Sequence, residues 1–218
     1  MKSFEIITIL LTAGSLLSLF FYRNKGPFLY LLFLAAIAAI VQYLSDGLRW
    51  QMLATIYILP AMFITYKYKI VNRFTGTILG AWFLISAFIP WAVPVFTMPA
   101  PEGDFSIGSE TFHWVDSSRL EWFTDENDND VREIMVQAWY PSENSDSIGT
   151  NSYMDFMNLR SKTLASAGKI PAFLPSHLNM ISTNTRNDVA CSNKLEKYPV
   201  LIFSHGITGS RHLHQILF

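Results

Sequence analysis

The residues of this chain that are best suited to chemistry lie close to its end, where Ser204, His205 and Gly206 follow an apolar run. That run, residues 200–203, is typical of a strand buried on both faces of a parallel sheet. Gly206 and Gly209 permit a tight turn with room for a substrate carbonyl beside the backbone. In enzymes that attack acyl groups, such a turn directs backbone N–H groups at the oxygen that becomes negative in the transition state. The pattern predicts an oxyanion loop, and the alternative is an ordinary glycine turn after a buried strand.

Two predicted strands upstream belong to the same region of the chain. Residues 105–115 and 131–140 alternate loosely and are rich in β-branched and aromatic residues. The acidic stretch between them, residues 124–130, is similar to a calcium-binding loop. However, Asp130 stands where that loop needs a glycine, and Val136 stands where it needs a glutamate. We therefore predict a solvated hairpin turn and no metal site.

The remaining segments of this half are a predicted helix after the turn and a variable stretch before it. Ser210 is placed to cap a helix whose apolar residues lie three and four positions apart: Leu213, Ile216 and Leu217. Residues 142–198 form the variable stretch, with a helix predicted over 153–167 and an irregular apolar loop over 170–179. His177 in that loop is interpreted as a hydrogen-bonded loop histidine and not as a catalytic one.

Two motifs resemble a known family. VQAWYP at residues 136–141 and PVLIFSHGITGSR at residues 199–211 resemble the platelet-activating-factor acetylhydrolases of the α/β-hydrolase superfamily. The resemblance covers about residues 105–218 and implies a serine esterase that releases short or oxidised acyl chains from phospholipids, without metal or cofactor. It also implies that the backbone N–H of Ile207 is an oxyanion donor and that Gly206 belongs to the oxyanion loop. His205 is either a structural imidazole of that loop or a residue that shapes the oxyanion pocket.

The catalytic residues of this superfamily are missing from the sequence. An α/β-hydrolase places its nucleophile in G-x-S-x-G, followed by an acid and a histidine, and none of the 218 residues forms that motif. Ser204 and His205 point to opposite faces of a strand, and Ser210 with His214 lacks an orienting acid. We therefore expect the incomplete N-terminal part of an α/β-hydrolase domain, present as a fragment, inactive alone and marginally stable as residues 98–218.

The composition divides the chain near residue 97. Residues 1–97 carry seven Lys and Arg against two Asp and Glu, whereas residues 98–218 carry nine against fifteen. The acidic second half would repel a nucleic acid backbone, which excludes nucleic acid as a partner. A single cysteine, Cys191, excludes a disulfide framework and a zinc cluster. We predict a membrane region over 1–97 and a soluble domain over 98–218.

The first half is predicted to be an all-α transmembrane bundle of about four helices. The four apolar spans cover about residues 4–22, 27–44, 50–66 and 74–96, and the third, which contains Pro60, is the weakest. No ionisable residue lies well inside them, which favours an anchor over a transporter. Lys and Arg are concentrated in the first and third loops, so the positive-inside rule places the soluble part outside the plasma membrane. With only three spans the soluble part would be cytoplasmic.

The sequence thus predicts a membrane-anchored carboxylic-ester hydrolase whose partners are the membrane and a lipid or small ester substrate. A dienelactone-hydrolase-like or polyester-cleaving esterase is an alternative, because those enzymes share the sheet and the loop. A non-enzymatic membrane protein whose outer domain binds a partner or a lipid is a second alternative.

Overall fold

The computed structural model describes residues 2–22, 25–122, 127, 129–143, 149–206 and 209–217, with only the backbone described at residues 214, 216 and 217. The chain divides into two units. The first comprises Met1–Phe96 and Asn158–His177, and the second comprises Thr97–Met157 and Leu178–Phe218. Part of the variable stretch therefore groups with the N-terminal helices.

Four helices form the first unit: α1 (Ser3–Phe21), α2 (Gly26–Asp46), α3 (Trp50–Lys67) and α4 (Arg73–Ala92). Gly47, with a φ of 79°, ends α2 in a backbone conformation that favours glycine. The Asn72 side chain caps α4 by accepting a hydrogen bond from the Thr75 N–H. Short connections between long apolar helices give antiparallel neighbours.

Three of these helices are long and apolar enough to cross a membrane, namely α1, α2 and α4. The predicted third span, residues 50–66, does form the helix α3, but among the described residues it does not reach the length and hydropathy of the other three. Its polar residues are partly directed inward, since Gln51 and Thr55 are fully buried. The helix contacts α1, α2 and α4, so burial within the bundle explains why its sequence is less apolar.

The face of α1 that packs inside the bundle is more polar than the face on the outside of the bundle. Its buried residues include a stripe of hydroxyl side chains, whereas Leu10 and Leu17 are 65% and 56% exposed. The Thr8 and Thr12 hydroxyls donate to the carbonyls one turn earlier, at 2.8 and 2.7 Å, which satisfies them without water. Small polar residues between helices and large apolar ones outside are the arrangement expected of a bundle in lipid.

The second unit contains a small mixed sheet in the strand order β2-β1-β3. Strands β1 (Ser106–Leu120) and β2 (Val131–Ser142) form the predicted antiparallel hairpin, and β3 (Thr185–Asn187) pairs in parallel with β1. Most of the expected acidic turn, residues 123–126 and 128, lies outside the described residues. The two predicted strands are confirmed, but an α/β-hydrolase sheet is not seen in the described part of the chain.

Two helical segments lie in the variable stretch. Helix α5 (Met157–Gly168) begins later than the predicted helix over 153–167, and a 3₁₀ helix (Leu174–Met180) replaces the predicted irregular loop. Within the first unit, the Trp50 indole N–H donates to the Leu174 carbonyl at 3.1 Å. The Phe173 ring packs edge-on against the same indole, with centroids 5.4 Å apart. These contacts attach the variable stretch to the start of α3.

Candidate functional site

The apolar run before the predicted oxyanion loop is not a strand. Residues 199–206 have no regular secondary structure, and Val200, Leu201 and Ile202 are 86%, 77% and 90% exposed. The prediction of a buried parallel strand is therefore wrong for this structure. A strand of that kind needs a hydrogen-bonded neighbour on each side, and no described strand pairs with this run.

The loop itself is a tight turn between two glycines. The Gly209 N–H donates to the Gly206 carbonyl at 2.8 Å, and a Cβ at residue 209 would lie 3.0 Å from the His205 Cβ. A side chain at residue 209 would therefore require His205 or the turn to shift by a few tenths of an ångström. The His205 Nδ1 lies 2.9 Å from the Gly206 carbonyl oxygen, and its side chain is exposed. Ile207, the predicted oxyanion donor, lies outside the described residues.

The segment after the loop is helical, as the apolar spacing predicts, but it forms a 3₁₀ helix, Arg211–Leu217. Asp155 holds its first turn by accepting hydrogen bonds from Arg211 Nη2 and from His212 Nε2, the latter at 3.0 Å. Arg211 Nε also donates to Gln137 Oε1 at 3.1 Å, and Gln137 belongs to the VQAWYP motif on β2. The turn is thus connected to the hairpin through charged hydrogen bonds.

Sequence analysis missed Asp155. It lies 56 residues before Arg211 in the stretch interpreted as variable, and no local spacing links the two. No sequence signal points to Asp155, because the burial of His212, which is 3% exposed and so needs a polar partner, is seen only in the structure. An orienting acid for a histidine near the loop is therefore present, although none was predicted.

This acid and histidine do not make a serine nucleophile of Ser210. The Ser210 hydroxyl is buried and has no hydrogen-bond partner among the described residues, so none of the described side chains is placed to take its proton. The His214 side chain lies outside the described atoms. The structure brings His212 and Asp155 together and does not bring Ser210 into hydrogen-bond contact with either.

A polar cavity of about 230 Å³ lies beside the Asp155 cluster, lined by residues that include Thr111, Gln137, Asn151, Asn187 and His212. The Asn151 side-chain nitrogen is within 3.1 Å of oxygens on Ser109, Thr185 and Asn187. These contacts occupy the polar groups internally, and the lining suits neither an acyl chain nor a metal ion. No cluster of three or more His, Cys, Asp or Glu suitable for a metal occurs among the described residues.

His177 is a hydrogen-bonded residue of the 3₁₀ helix. Its Nδ1 lies 2.8 Å from the Leu174 carbonyl oxygen, and its ring lies edge-on to Trp50. Burial lowers the pKa of His177 below the usual value of an imidazole, although the Leu174 hydrogen bond opposes this. A partly buried, neutral imidazole bonded to the backbone fits the interpretation as a loop histidine.

The WYP tripeptide contributes structural contacts. The Tyr140 hydroxyl donates to the Val189 carbonyl at 2.8 Å, which ties β2 to the residues after β3. A Cβ at Gly108, on the paired strand, would lie 2.3 Å from the Tyr140 ring. Burial raises the pKa of the Tyr140 phenol, as expected of a hydroxyl that serves as a neutral donor. This motif therefore positions the end of the hairpin.

A comparison with protein families shows which family the chain belongs to. A family model described as platelet-activating factor acetylhydrolase, isoform II, matches residues 93–217, more than half of the 218 residues. The chain belongs to this family. The predicted resemblance is confirmed, and the match contains both VQAWYP and the SHG loop. No curated protein and no solved structure matches the chain.

Within the acetylhydrolase family, this chain carries an N-terminal region that the match does not include. The match begins at Val93, one residue after α4 ends. The bundle α1–α4 is therefore an addition before the family region, and three of its helices fit a membrane protein.

Proposed function

We propose that this chain is a membrane-anchored carboxylic-ester hydrolase of the acetylhydrolase type, with the Ile207 backbone N–H as one oxyanion donor. The observation that carries the proposal is the family match, which spans the SHG loop and strand β2, whose Gln137 accepts a hydrogen bond from Arg211. The match supports the acetylhydrolase interpretation and adds nothing for a dienelactone-hydrolase-like or polyester esterase. A hydrolase of the acetylhydrolase type is the function that these observations favour.

The substrate class follows from the family description. An acetylhydrolase acts on an acetyl ester, so we propose short-chain acyl esters, phospholipids among them, as substrates. The Ile207 N–H would bind the ester carbonyl oxygen and stabilise the negative charge that develops when the nucleophile attacks the carbonyl carbon. Gly206 would let the carbonyl approach the backbone. No G-x-S-x-G lies in the 218 residues, so the proposal assigns oxyanion binding to this chain and expects these residues alone to show no esterase activity.

We further propose that the hydrolase region lies on the outer side of the plasma membrane. At the end of the bundle that contains the N-terminus and the connection between α2 and α3, the basic residues are Lys2 and Arg49. The opposite connections contain only basic charges: Arg23, Lys25, Lys67, Lys69 and Arg73. This asymmetry supports cytoplasmic placement of the basic end. This proposal requires α3 to cross the membrane together with the three candidate spans α1, α2 and α4, so that both ends of the bundle region lie on the outer side.

The test is an esterase assay on the product isolated from membranes of the source cell with an antibody against residues 98–218. We expect hydrolysis of p-nitrophenyl acetate and labelling by a fluorophosphonate probe, which reacts with activated serines. Hydrolysis should decrease as the acyl chain lengthens. A product that neither hydrolyses the ester nor reacts with the probe would overturn the esterase proposal and favour a binding role for the outer domain.

A further inference from the structure

The oxyanion turn is supported mainly from its downstream side. Upstream, residues 199–203 are exposed and form no strand. Downstream, the Leu213 N–H donates to the Ser210 carbonyl at 3.1 Å and starts the 3₁₀ helix. The position of the turn thus depends on the contacts that hold this helix against the rest of the second unit.

Those contacts converge on Asp155. Its carboxylate accepts hydrogen bonds from Arg211 and His212, whose side chains are only 14% and 3% exposed. The planar guanidinium of Arg211 also reaches Gln137 on β2, so its orientation is fixed by two partners. Gln215 adds a hydrogen bond from Nε2 to the Tyr153 carbonyl at 3.2 Å. Asp155 is therefore the acceptor shared by the two residues that immediately follow Ser210.

We propose that Asp155 is a positioning residue of the oxyanion turn and acts through Arg211 and His212. The effect of this positioning on catalysis rests on the proposed esterase function. An oxyanion donor must lie within a narrow distance range of the developing charge, and a displacement of about 1 Å can reduce the rate about 100-fold. Holding Arg211 and His212, the first two residues of the 3₁₀ helix, limits such displacement. Asp155 itself does not contact the substrate in this account.

The direct test is amide hydrogen exchange of the 218-residue chain in a detergent micelle or nanodisc, comparing wild type with Asp155→Asn. The variant keeps the size of the side chain and removes the charge that binds the guanidinium. We expect exchange of the two hydrogen-bonded amides of this region, those of Gly209 and Leu213, to accelerate about tenfold. We expect exchange in the β1–β2 hairpin to remain as in wild type.

Asp104→Asn is the matched control, because Asp104 is an exposed carboxylate of the same unit and its replacement makes the same chemical change. It should leave the exchange of the turn unaltered. Arg211→Gln should reproduce the effect of Asp155→Asn, and the double variant should be no worse than either single one, since both remove the same ion pair. Asp155→Glu keeps a carboxylate, so its turn amides should be better protected from exchange than those of Asp155→Asn.

Two results would overturn the inference. Unchanged exchange in the turn would show that Asp155 does not position it, and equal acceleration throughout residues 106–142 would show that Asp155 only stabilises the unit.

An activity measurement on the product from source membranes separates this inference from the proposed function. If the wild type hydrolyses p-nitrophenyl acetate, Asp155→Asn should lower kcat about tenfold or more with KM nearly unchanged. If the wild type does not, the esterase proposal fails while hydrogen exchange still decides the positioning role.

Discussion

Arg49 and Glu5 form an ion pair inside the helical bundle, with Nη1 and Oε1 2.5 Å apart and both side chains fully buried. A second nitrogen of Arg49 donates to the Val93 carbonyl at 3.0 Å, and Gln51 donates to the same oxygen at 3.3 Å. Val93 is also the first residue of the family match. Arg49 therefore ties α1 and the start of α3 to the point where the acetylhydrolase region begins.

Replacement of Arg49 should destabilise the bundle strongly. Arg49→Met leaves the Glu5 carboxylate buried without its partner, which typically costs about 3–5 kcal/mol. The measurement is the free energy of unfolding of the chain in mixed micelles. Lys2→Met is the control, because the Lys2–Asp46 pair is partly exposed and such pairs contribute about 0–1 kcal/mol. Equal losses from the two variants would contradict the buried role of Arg49.

A methyl group at Gly108 should disturb the end of the hairpin. The Cβ of Gly108→Ala would lie 2.3 Å from the Tyr140 ring, so the ring must move, at a cost of about 1–3 kcal/mol. Gly103→Ala is the control, since a Cβ at Gly103 has no heavy atom within 4 Å. Resistance of the second unit to limited proteolysis reports the difference. Equal resistance of the two variants would show that Tyr140 does not pack on Gly108.

The Tyr140 hydroxyl should contribute to stability through its hydrogen bond to Val189. Tyr140→Phe keeps the ring and leaves the Val189 carbonyl without this donor, which should cost about 1 kcal/mol. Chemical denaturation at neutral pH measures the loss. Tyr57→Phe, in an exposed position on α3, should have no measurable effect on the second unit. If the Tyr140→Phe chain is as stable as wild type, the hydrogen bond from Tyr140 to Val189 does not contribute to stability.

His177 should make the stability of the first unit fall in mild acid. Burial lowers the folded-state pKa of His177 below the unfolded value of 6.5, so the unfolded chain binds the proton more readily. The contribution of His177 is fully present above about pH 6.5 and is lost as the pH falls through the folded pKa. Melting temperatures between pH 7.5 and pH 5 should decrease more in wild type than in His177→Gln. An equal decrease of melting temperature with pH in the two proteins would contradict the lowered pKa of His177.

The exposed run before the loop should tolerate a polar residue. Ile202 is 90% exposed, so Ile202→Ser should change the free energy of unfolding by less than about 0.5 kcal/mol. It should also reduce aggregation of the chain, because an exposed apolar segment promotes association. Met154→Ser, at a residue only 3% exposed, should destabilise clearly. Strong destabilisation by Ile202→Ser would instead restore the buried strand expected from the sequence.

Local patterns were sufficient to predict the helices, the hairpin and the family. Apolar runs of eighteen or more residues locate α1, α2 and α4, and alternation with β-branched residues locates β1 and β2. The spacing of VQAWYP and PVLIFSHGITGSR is sufficient for the family, because those residues are contiguous in sequence. Each of these signals depends only on neighbours along the chain.

The features that were missed depend on residues far apart in sequence. The Glu5–Arg49 pair spans 44 residues and the Asp155–Arg211 pair spans 56, so no periodicity reveals either. Whether Val200–Phe203 forms a β-strand depends on neighbouring strands that can pair with it. The apolar run alone does not show whether such strands are present. Helix α3 is a weak span in the sequence because it carries polar residues, and two of them, Gln51 and Thr55, donate hydrogen bonds inside the bundle.

We propose that the Ile207 backbone N–H stabilises an oxyanion in ester hydrolysis. The most direct measurement compares kcat for p-nitrophenyl acetate between Ile207→Pro, which lacks that N–H, and Ile207→Ala, which keeps it, in product isolated from source membranes. Removal of one oxyanion donor typically lowers kcat about 10²–10³-fold, so the proline variant should be slower by that factor at equal melting temperature. Equal turnover by the two variants, or no turnover by the wild type, would contradict the account.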